Sequence, residues 1–312
     1  MKNNIKIYDL DRFMTDLEPK SIALGNFDGV HIGHQKLMQE NIDIAKRYKL
    51  TPSVLLFKEN TKKLLNSTET YLTSTDDKIE VLSKMGIDTF CLIEFNEKFR
   101  SLSPREFIEN LLYKKLNSKY VVVGEDYHFG KGALGDVKTL RKYEEDFSYK
   151  TRVVDFKLSA GNKISSTEIK DLLNDGEIVK ANEFLGRPYK IRGTVVDGYK
   201  RGRTLNFPTA NLKTDFSYLI PKDGVYLTRV NVLKQNYFGL SNVGKNPTFE
   251  NENRKVETYI IDFDKDIYGE KITIEFLEFF RGDIKFDSRE ELIEQMEKDK
   301  KMGYDFIKNK YS

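Results

Sequence analysis

The sequence predicts an α/β half built on a doubly wound parallel sheet, followed by a small antiparallel β-barrel with a terminal helix. Three observations carry this. Between Ser21 and Val154, short apolar runs alternate with amphipathic helical stretches, as repeated βαβ units do. Beyond Pro188 the hydrophobic period switches to two, in segments separated by turn residues, as in small antiparallel barrels. The length, 312 residues, suits two domains of ordinary size, and the punctuation places them at 1–180 and 186–312.

In the first half, Ile22–Leu24 reads as a buried strand that runs into a loop at Gly25–Gly29. A helix follows, with Leu37, Met38, Asn41, Ile42 and Ala45 in helical period and Asn41 the polar exception. Ser53–Phe57 is the next strand. Asp76–Lys84 is a helix with Ile79 and Leu82 on one face, stopped by Gly86. Thr89–Ile93 is a third strand. Ser103, Pro104 and Glu106 supply an N-cap, a proline at the first helical position and a capping acid. Ile108, Leu111 and Leu112 bury that helix. Tyr120–Val123 and Thr151–Val154 are strands four and five. Ser165–Glu168 opens a helix that Gly176 ends, and a short helical link to Leu185 is broken by Gly186-Arg187-Pro188. In the second half, Lys190–Val196, Gly224–Val232, Lys255–Asp262 and Lys271–Phe280 alternate as half-buried strands, and a last helix begins at Ser288 with Glu291 three residues on.

Composition narrows the function. With 52 basic and 49 acidic residues the net charge is +3, too balanced to argue for nucleic acid or an anionic membrane as partner. Lys298, Lys300 and Lys301 read as a solvated helix face. The one cysteine, Cys91, sits in an apolar run and reads as core. No stretch resembles a signal peptide or a membrane span, so the expected setting is the cytoplasm and the expected state a monomer or weak homo-oligomer.

Four segments carry chemistry. Gly25-Asn26-Phe27-Asp28-Gly29 and the following His31 and His34, two of the three histidines, join a strand end to a helix N-terminus. Backbone N–H groups, the helix dipole and two imidazoles there suit ATP phosphates, although the two histidines could equally cap the helix. Gly124–Gly130, with Asp126, Tyr127 and Phe129, is a Gly–aromatic–Gly loop after the fourth strand that could receive a planar ring or simply turn. Ser165, Ser166, Thr167 and Lys170 put three hydroxyls and a cation at a helix start, which can hold phosphates or merely cap. Gly198, Arg201 and Arg203 form a basic loop before Phe207-Pro208-Thr209-Ala210-Asn211, which can approach phosphates or simply be a basic hairpin followed by a Pro-Thr turn. Thr209 and Asn211, alternate residues of an extended segment, face the same way, and their oxygens suit Mg²⁺. Glu257, among strand-type residues, could serve as a general base, and Arg281 could hold an acidic group or stack on a ring.

In this order, over nearly the whole chain, these motifs resemble the bacterial bifunctional riboflavin kinase/FAD synthetase family. The first segment is similar to its adenylyltransferase motif, within the His-x-Gly-His nucleotidyltransferases, and Arg201–Asn211 to the Mg·ATP signature of its kinase module. Tyr226, Asn246-Pro247-Thr248-Phe249, Glu257 and Arg281 also follow in order. The resemblance implies a Rossmann-like FMN adenylyltransferase followed by a riboflavin kinase, with ATP as co-substrate and riboflavin, FMN and FAD as substrates or products. It implies that Asn26, Asp28, His31, His34, Ser165, Ser166, Thr167 and Lys170 surround one ATP and that Asp126 and nearby aromatics lie by FMN. In the second half it implies that Thr209 and Asn211 hold Mg²⁺ and nucleotide phosphates, that Glu257 takes the ribityl 5′-hydroxyl proton, and that Arg281 lies near the flavin. The chain departs from the family pattern at Phe57-Lys58-Glu59-Asn60, Lys170, Asn206 and Tyr259. A single-activity relative and a flavin-binding regulator are the alternative readings.

Overall fold

A computed structural model describes residues 5–12, 18–58, 70–155, 164–197, 207–214, 216–244 and 254–311, in two compact units, Met1–Ser166 and Thr167–Ser312.

The first unit is a six-stranded parallel sheet. Its strands are β1 (Lys6–Asp9), β2 (Lys20–Ala23), β3 (Thr51–Phe57), β4 (Thr89–Ile93), β5 (Ser118–Gly124) and β6 (Lys150–Val154), in the order β1-β4-β3-β2-β5-β6. Successive residues of each strand point to opposite faces, and each face has its own core. Ile22, Leu24, Leu55, Cys91, Val121 and Val123 meet Phe107, Ile108, Leu111 and Leu112 on one side. Ala23, Val54, Leu56, Phe90 and Val122 meet Leu37, Met38, Ile44 and Leu82 on the other. This is the doubly wound sheet expected from the alternation. Cys91 is core as expected, and burial pushes its thiol up to about 12.

The helices of this unit start where the chain supplies caps. Helix α1 (Ile32–Tyr48) is capped by His31. Helix α2 (Thr75–Met85) has a capping box from Ser74 and Asp77 and ends on Gly86. After the one-turn α3 (Glu97–Arg100), Ser103 and Glu106 form the expected capping box at α4 (Pro104–Glu106), which continues as a π-helical stretch over Phe107–Lys115. Helix α5 (Val137–Lys142) is capped by Asp136. Asn41, the polar residue on the apolar face of α1, is fully buried. It accepts from Ser21 Oγ at 2.6 Å and donates to Ser53 O at 2.9 Å, so it fastens α1 to β2 and β3 with its hydrogen bonds satisfied.

The sequence pattern misses β1. Its four residues carry no buried apolar side chain, and Ile7 is 54 % exposed. What secures this edge is its parallel pairing with β4, with Leu10 and Tyr8 packed on the core behind it, and Lys58 adds ion pairs to Asp9 and, at 2.7 Å, to Asp11.

In the second unit, α6 (Ser166–Asp175) and α7 (Ile178–Leu185) lead into a closed antiparallel barrel. Its strands are β7 (Tyr189–Val196), β8 (Thr209–Lys213), β9 (Gly224–Val232), β10 (Gln235–Gly244), β11 (Lys255–Ile260) and β12 (Lys271–Arg281), in the cyclic order β10-β11-β8-β7-β12-β9. Tyr226, Thr228, Val230 and Val232 alternate inward along β9 and are fully buried. Thr228, Ser241 and Thr258 link their hydroxyls at 2.9 and 2.7 Å across β9, β10 and β11. Outside the barrel, α8 (Arg289–Tyr311) lays Phe306 and Ile307 over Leu227, Leu240 and Leu277. Ser288 caps α8, accepting from Glu291 N at 3.2 Å.

Gly224 opens β9 with φ +148°, and a Cβ there would lie 2.3 Å from Arg281 O. Gly224→Ala is therefore expected to part β9 from β12 and to cost the barrel about 2 kcal/mol or more, read as a lower denaturation midpoint.

Candidate active sites

In the first unit the chain passes from β2 to β3 and β4 on one side, and β5 and β6 lie on the other. The strand order thus reverses between β2 and β5, and ligands of open α/β sheets bind beyond the carboxyl ends of strands at such a point. The segment there is Gly25–His34. Phe27, Gly29 and Val30 all take positive φ, at 53°, 78° and 42°. For phenylalanine and valine this conformation is costly, so surrounding contacts must impose it. Asp28, 2 % exposed, accepts from Leu72 N at 2.9 Å and Thr73 N at 3.1 Å. Thr73 Oγ1 accepts from Gly29 N at 2.8 Å. Lys78 Nζ donates to Asn26 O at 2.9 Å, and Ser166 Oγ donates to Asp28 O at 2.9 Å. A Cβ at Gly25 would meet the Phe27 ring at 2.8 Å, so only glycine admits that ring.

The turn delivers His31 and His34 to the start of α1 with their rings stacked, centroids 3.6 Å apart, and the Phe27 ring edge-on to His34 at 5.3 Å. His31 Nδ1 accepts from His34 N at 3.3 Å, so capping and the display of two imidazoles coexist. His31 is 3 % exposed and His34 half-buried. A helix N-terminus with two imidazoles beside it is an arrangement suited to anions in general.

The loop Gly124–Gly130 leaves β5, which pairs with β2 in the sheet, so both candidate loops emerge from adjacent strand ends. Asp126 is exposed, Tyr127 half-buried and Phe129 buried. The Tyr127 and Phe129 rings stack at 5.7 Å, Phe129 meets Phe107 at 4.9 Å, and Phe99 with Phe57 and Phe95 extends the row. Burial holds the Tyr127 phenol above its usual range. Phe107 and Phe129 belong to the core of this unit, so of these rings Tyr127 is the half-buried one at the loop.

In the barrel, cross-strand registers bring the predicted residues into one line. Asn211 pairs with Glu257, Glu257 with Asn242, Asn242 with Val225, and Val225 with Arg281. Paired residues share a face of the sheet, here the face opposite the buried Thr228–Ser241–Thr258 hydroxyls. Thr209 pairs with Tyr259 in the adjoining row. Glu257 is half-buried. Beside Thr209 a cavity of about 490 Å³ opens, lined by Pro208, Thr209, Ala210, Thr258, Ile260 and the segment 263–268. Arg281 binds Asp299 of α8 through Nε at 3.1 Å and Nη2 at 2.7 Å. Of the lysines read as a solvated face, Lys298 pairs with Glu294. Lys300 instead lies half-buried over the rings of Phe207 and Tyr259, 5.9 Å from each centroid, because α8 turns that side toward the barrel.

Gly25, Asn26, Phe27, Asp28, His31, His34 and Ser166 are thus held together by described contacts, with Ser165 beside them in the chain. Thr167 and Lys170 continue α6. Thr209, Asn211 and Glu257 are neighbours on β8 and β11. Gly198, Arg201, Arg203, Asn206, Glu59, Asn60 and Asn246–Phe249 lie outside the described residues. Sequence reasoning missed Thr73 and Lys78, which hold the first loop from 44 and 52 residues away, and Asn242, whose strand gives no alternation signal.

Two family models match the chain, one described as FAD synthetase over residues 13–168 and one as riboflavin kinase over 185–307. A Listeria monocytogenes protein named bifunctional riboflavin kinase/FMN adenylyltransferase is 41% identical over 289 residues, 91% of each chain. A Bacillus subtilis protein of the same name is 37% identical over 301 residues, 94% of each. A solved Streptococcus pneumoniae structure described as a macrolide-efflux protein superposes with TM-score 0.86 at 32% identity, covering 99% of this chain and 100% of that one. Among the described residues, no helix is long and apolar enough to cross a membrane. With both halves matched in the order their motifs predict, and relatives aligned almost end to end, the chain belongs to the bifunctional riboflavin kinase/FMN adenylyltransferase family.

Proposed function

We propose that the barrel unit phosphorylates riboflavin with ATP to give FMN, and that the first unit transfers AMP from a second ATP to FMN, giving FAD and pyrophosphate. The observation that carries the kinase reading is the row Asn211–Glu257–Asn242–Val225–Arg281. From β12 to β11 is three strand steps, about 14 Å along the barrel surface at ~4.8 Å per step. A flavin laid along it reaches Arg281 with its ring and Glu257 with the end of its ribityl chain. Glu257 accepts the proton of the 5′-hydroxyl as that oxygen attacks the γ-phosphorus, the bond from that phosphorus to the bridging oxygen breaks, and ADP leaves.

Thr209 and Asn211 offer two hard oxygens on one face, and among the described residues no group of three or more His, Cys, Asp or Glu could hold a metal ion. That donor set fits Mg²⁺, which takes few protein ligands and fills its shell with water and phosphate. When bound it neutralises charge on the transferring phosphoryl group.

In the first unit no protein nucleophile is needed. A phosphate oxygen of FMN attacks the α-phosphorus of ATP, and pyrophosphate leaves. His31, His34 and the N-terminus of α1 stabilise the charge that grows on the phosphates, and Asp28 fixes the turn from behind. Ser165 and Ser166 add hydroxyls to the phosphate pocket, and Tyr127 lies by the flavin with Asp126 at its edge. The chain acts on small molecules in the cytoplasm, as a monomer or weak homo-oligomer, without nucleic acid. Chromatography of flavins after incubation with riboflavin, ATP and Mg²⁺, beside a reaction started from FMN, tests this. FMN followed by FAD is expected from the first and FAD from the second. FMN that never becomes FAD, or FAD from supplied FMN alone, overturns bifunctionality.

A further inference from the structure

Arg281 does not meet its surroundings as an open cation. Two bulges interrupt the pairing of β12 with β9, between Phe276 and Glu278 and between Phe279 and Arg281, and such bulges re-aim the side chains that follow. Here they send Arg281 toward α8. Its Nε–H and one Nη2–H go to the Asp299 carboxylate, and one Nη1–H goes to Gly282 O at 3.1 Å. Two of the five guanidinium N–H groups and the planar faces remain. Asp299 is 3 % exposed, and its Oδ1 also accepts from Gln295 Nε2 at 2.8 Å. A buried carboxylate held from two sides is a rigid anchor, and a fork gripped along one edge has a fixed plane.

We propose that Asp299 is a positioning residue of the kinase site, holding Arg281 by one edge so that its plane and remaining donors face the isoalloxazine ring of riboflavin. The inference rests on the reading of the barrel as the riboflavin site. Stability alone does not require this pair, since a buried ion pair is often no better than apolar packing of the same shape. Its geometry adds direction: the guanidinium stands at the end of the row that carries Glu257, and its orientation sets where the ring lies and so where the ribityl end falls.

The test is riboflavin affinity, measured by quenching of flavin fluorescence without ATP, beside the KM for ATP in the kinase assay. Asp299→Asn keeps the size and loses the charge and the two-oxygen grip. It is expected to weaken riboflavin binding about tenfold or more, with the KM for ATP and FMN adenylylation within about twofold of the unaltered chain. Arg281→Lys should do the same, and the double variant should be no worse than the weaker-binding single one. Gln295→Leu, which leaves the ion pair in place, should shift riboflavin affinity in the same direction by less and serves if Asp299→Asn does not fold. Unchanged riboflavin affinity in Asp299→Asn, additive effects of the two substitutions, or parallel loss toward riboflavin and ATP would each overturn the proposal. If the unaltered chain does not bind riboflavin, the reading of the barrel itself fails and takes the inference with it.

Discussion

Glu257→Gln is expected to lower FMN formation from riboflavin by about 10²–10⁴-fold, the usual contribution of a positioned general base, while FAD formation from supplied FMN keeps its rate. Glutamine has the same shape and cannot take a proton. The substitution falls in β11, between Asn211 on β8 and Asn242 on β10, so both pairings of the strand survive it. Thr209 and Asn211 are untouched, and the KM for ATP should change little. Separate chromatographic assays of the two products decide the matter. Equal loss of both activities would overturn the assignment of the two reactions to two units.

The reverse pattern is expected of the double substitution His31→Ala with His34→Ala, which should stop FAD formation and spare FMN formation. Two charge-assisted hydrogen bonds to phosphate at about 1.5–3 kcal/mol each correspond to roughly 10²–10⁴ in rate. His31 also caps α1, and an alanine there costs about 0.5–2 kcal/mol. His31→Asn separates the two contributions, because asparagine caps a helix as well and offers no imidazole. A variant that melts like the unaltered chain and still fails to make FAD supports a phosphate-binding role. Full activity in it would reduce His31 to a cap.

Most of the first sheet was legible because its strands are buried on both faces and therefore read as apolar runs. Thr89–Ile93 has the expected bounds, and α2 stops at the glycine that the sequence offers as a stop. Strand β10 was not legible. Inward it carries Gly239, Ser241 and Val243, outward Leu240 is covered by α8, and no apolar–polar alternation survives. The hairpin that joins it to β9 uses Leu233 and Lys234, both at positive φ, where asparagine and glycine would have announced the turn. The loops that carry the candidate site residues were legible as loops, and the contacts that hold them were not. Asp28 reads as a ligand-facing acid within its motif, yet its Oδ1 accepts the N–H groups of Leu72 and Thr73, a contact no local pattern encodes. For Arg281 the sequence left two possibilities, an acidic partner or a ring. The structure supplies the acid, Asp299, 18 residues on.

The two halves also differ in how they expose backbone to other chains. In the closed barrel every described strand has a partner on each side, so none of them stands at the edge of a sheet. The sheet of the first unit has two margins, and both are short: four residues in β1 and five in β6. At β1 the margin carries ionic groups, Asp9 being shared by Lys58 and, at 3.3 Å, Arg12. Salt that weakens these pairs would loosen that margin before it touched the barrel. Fibrillar aggregation of this protein should therefore begin in the adenylyltransferase half, and at high ionic strength before low.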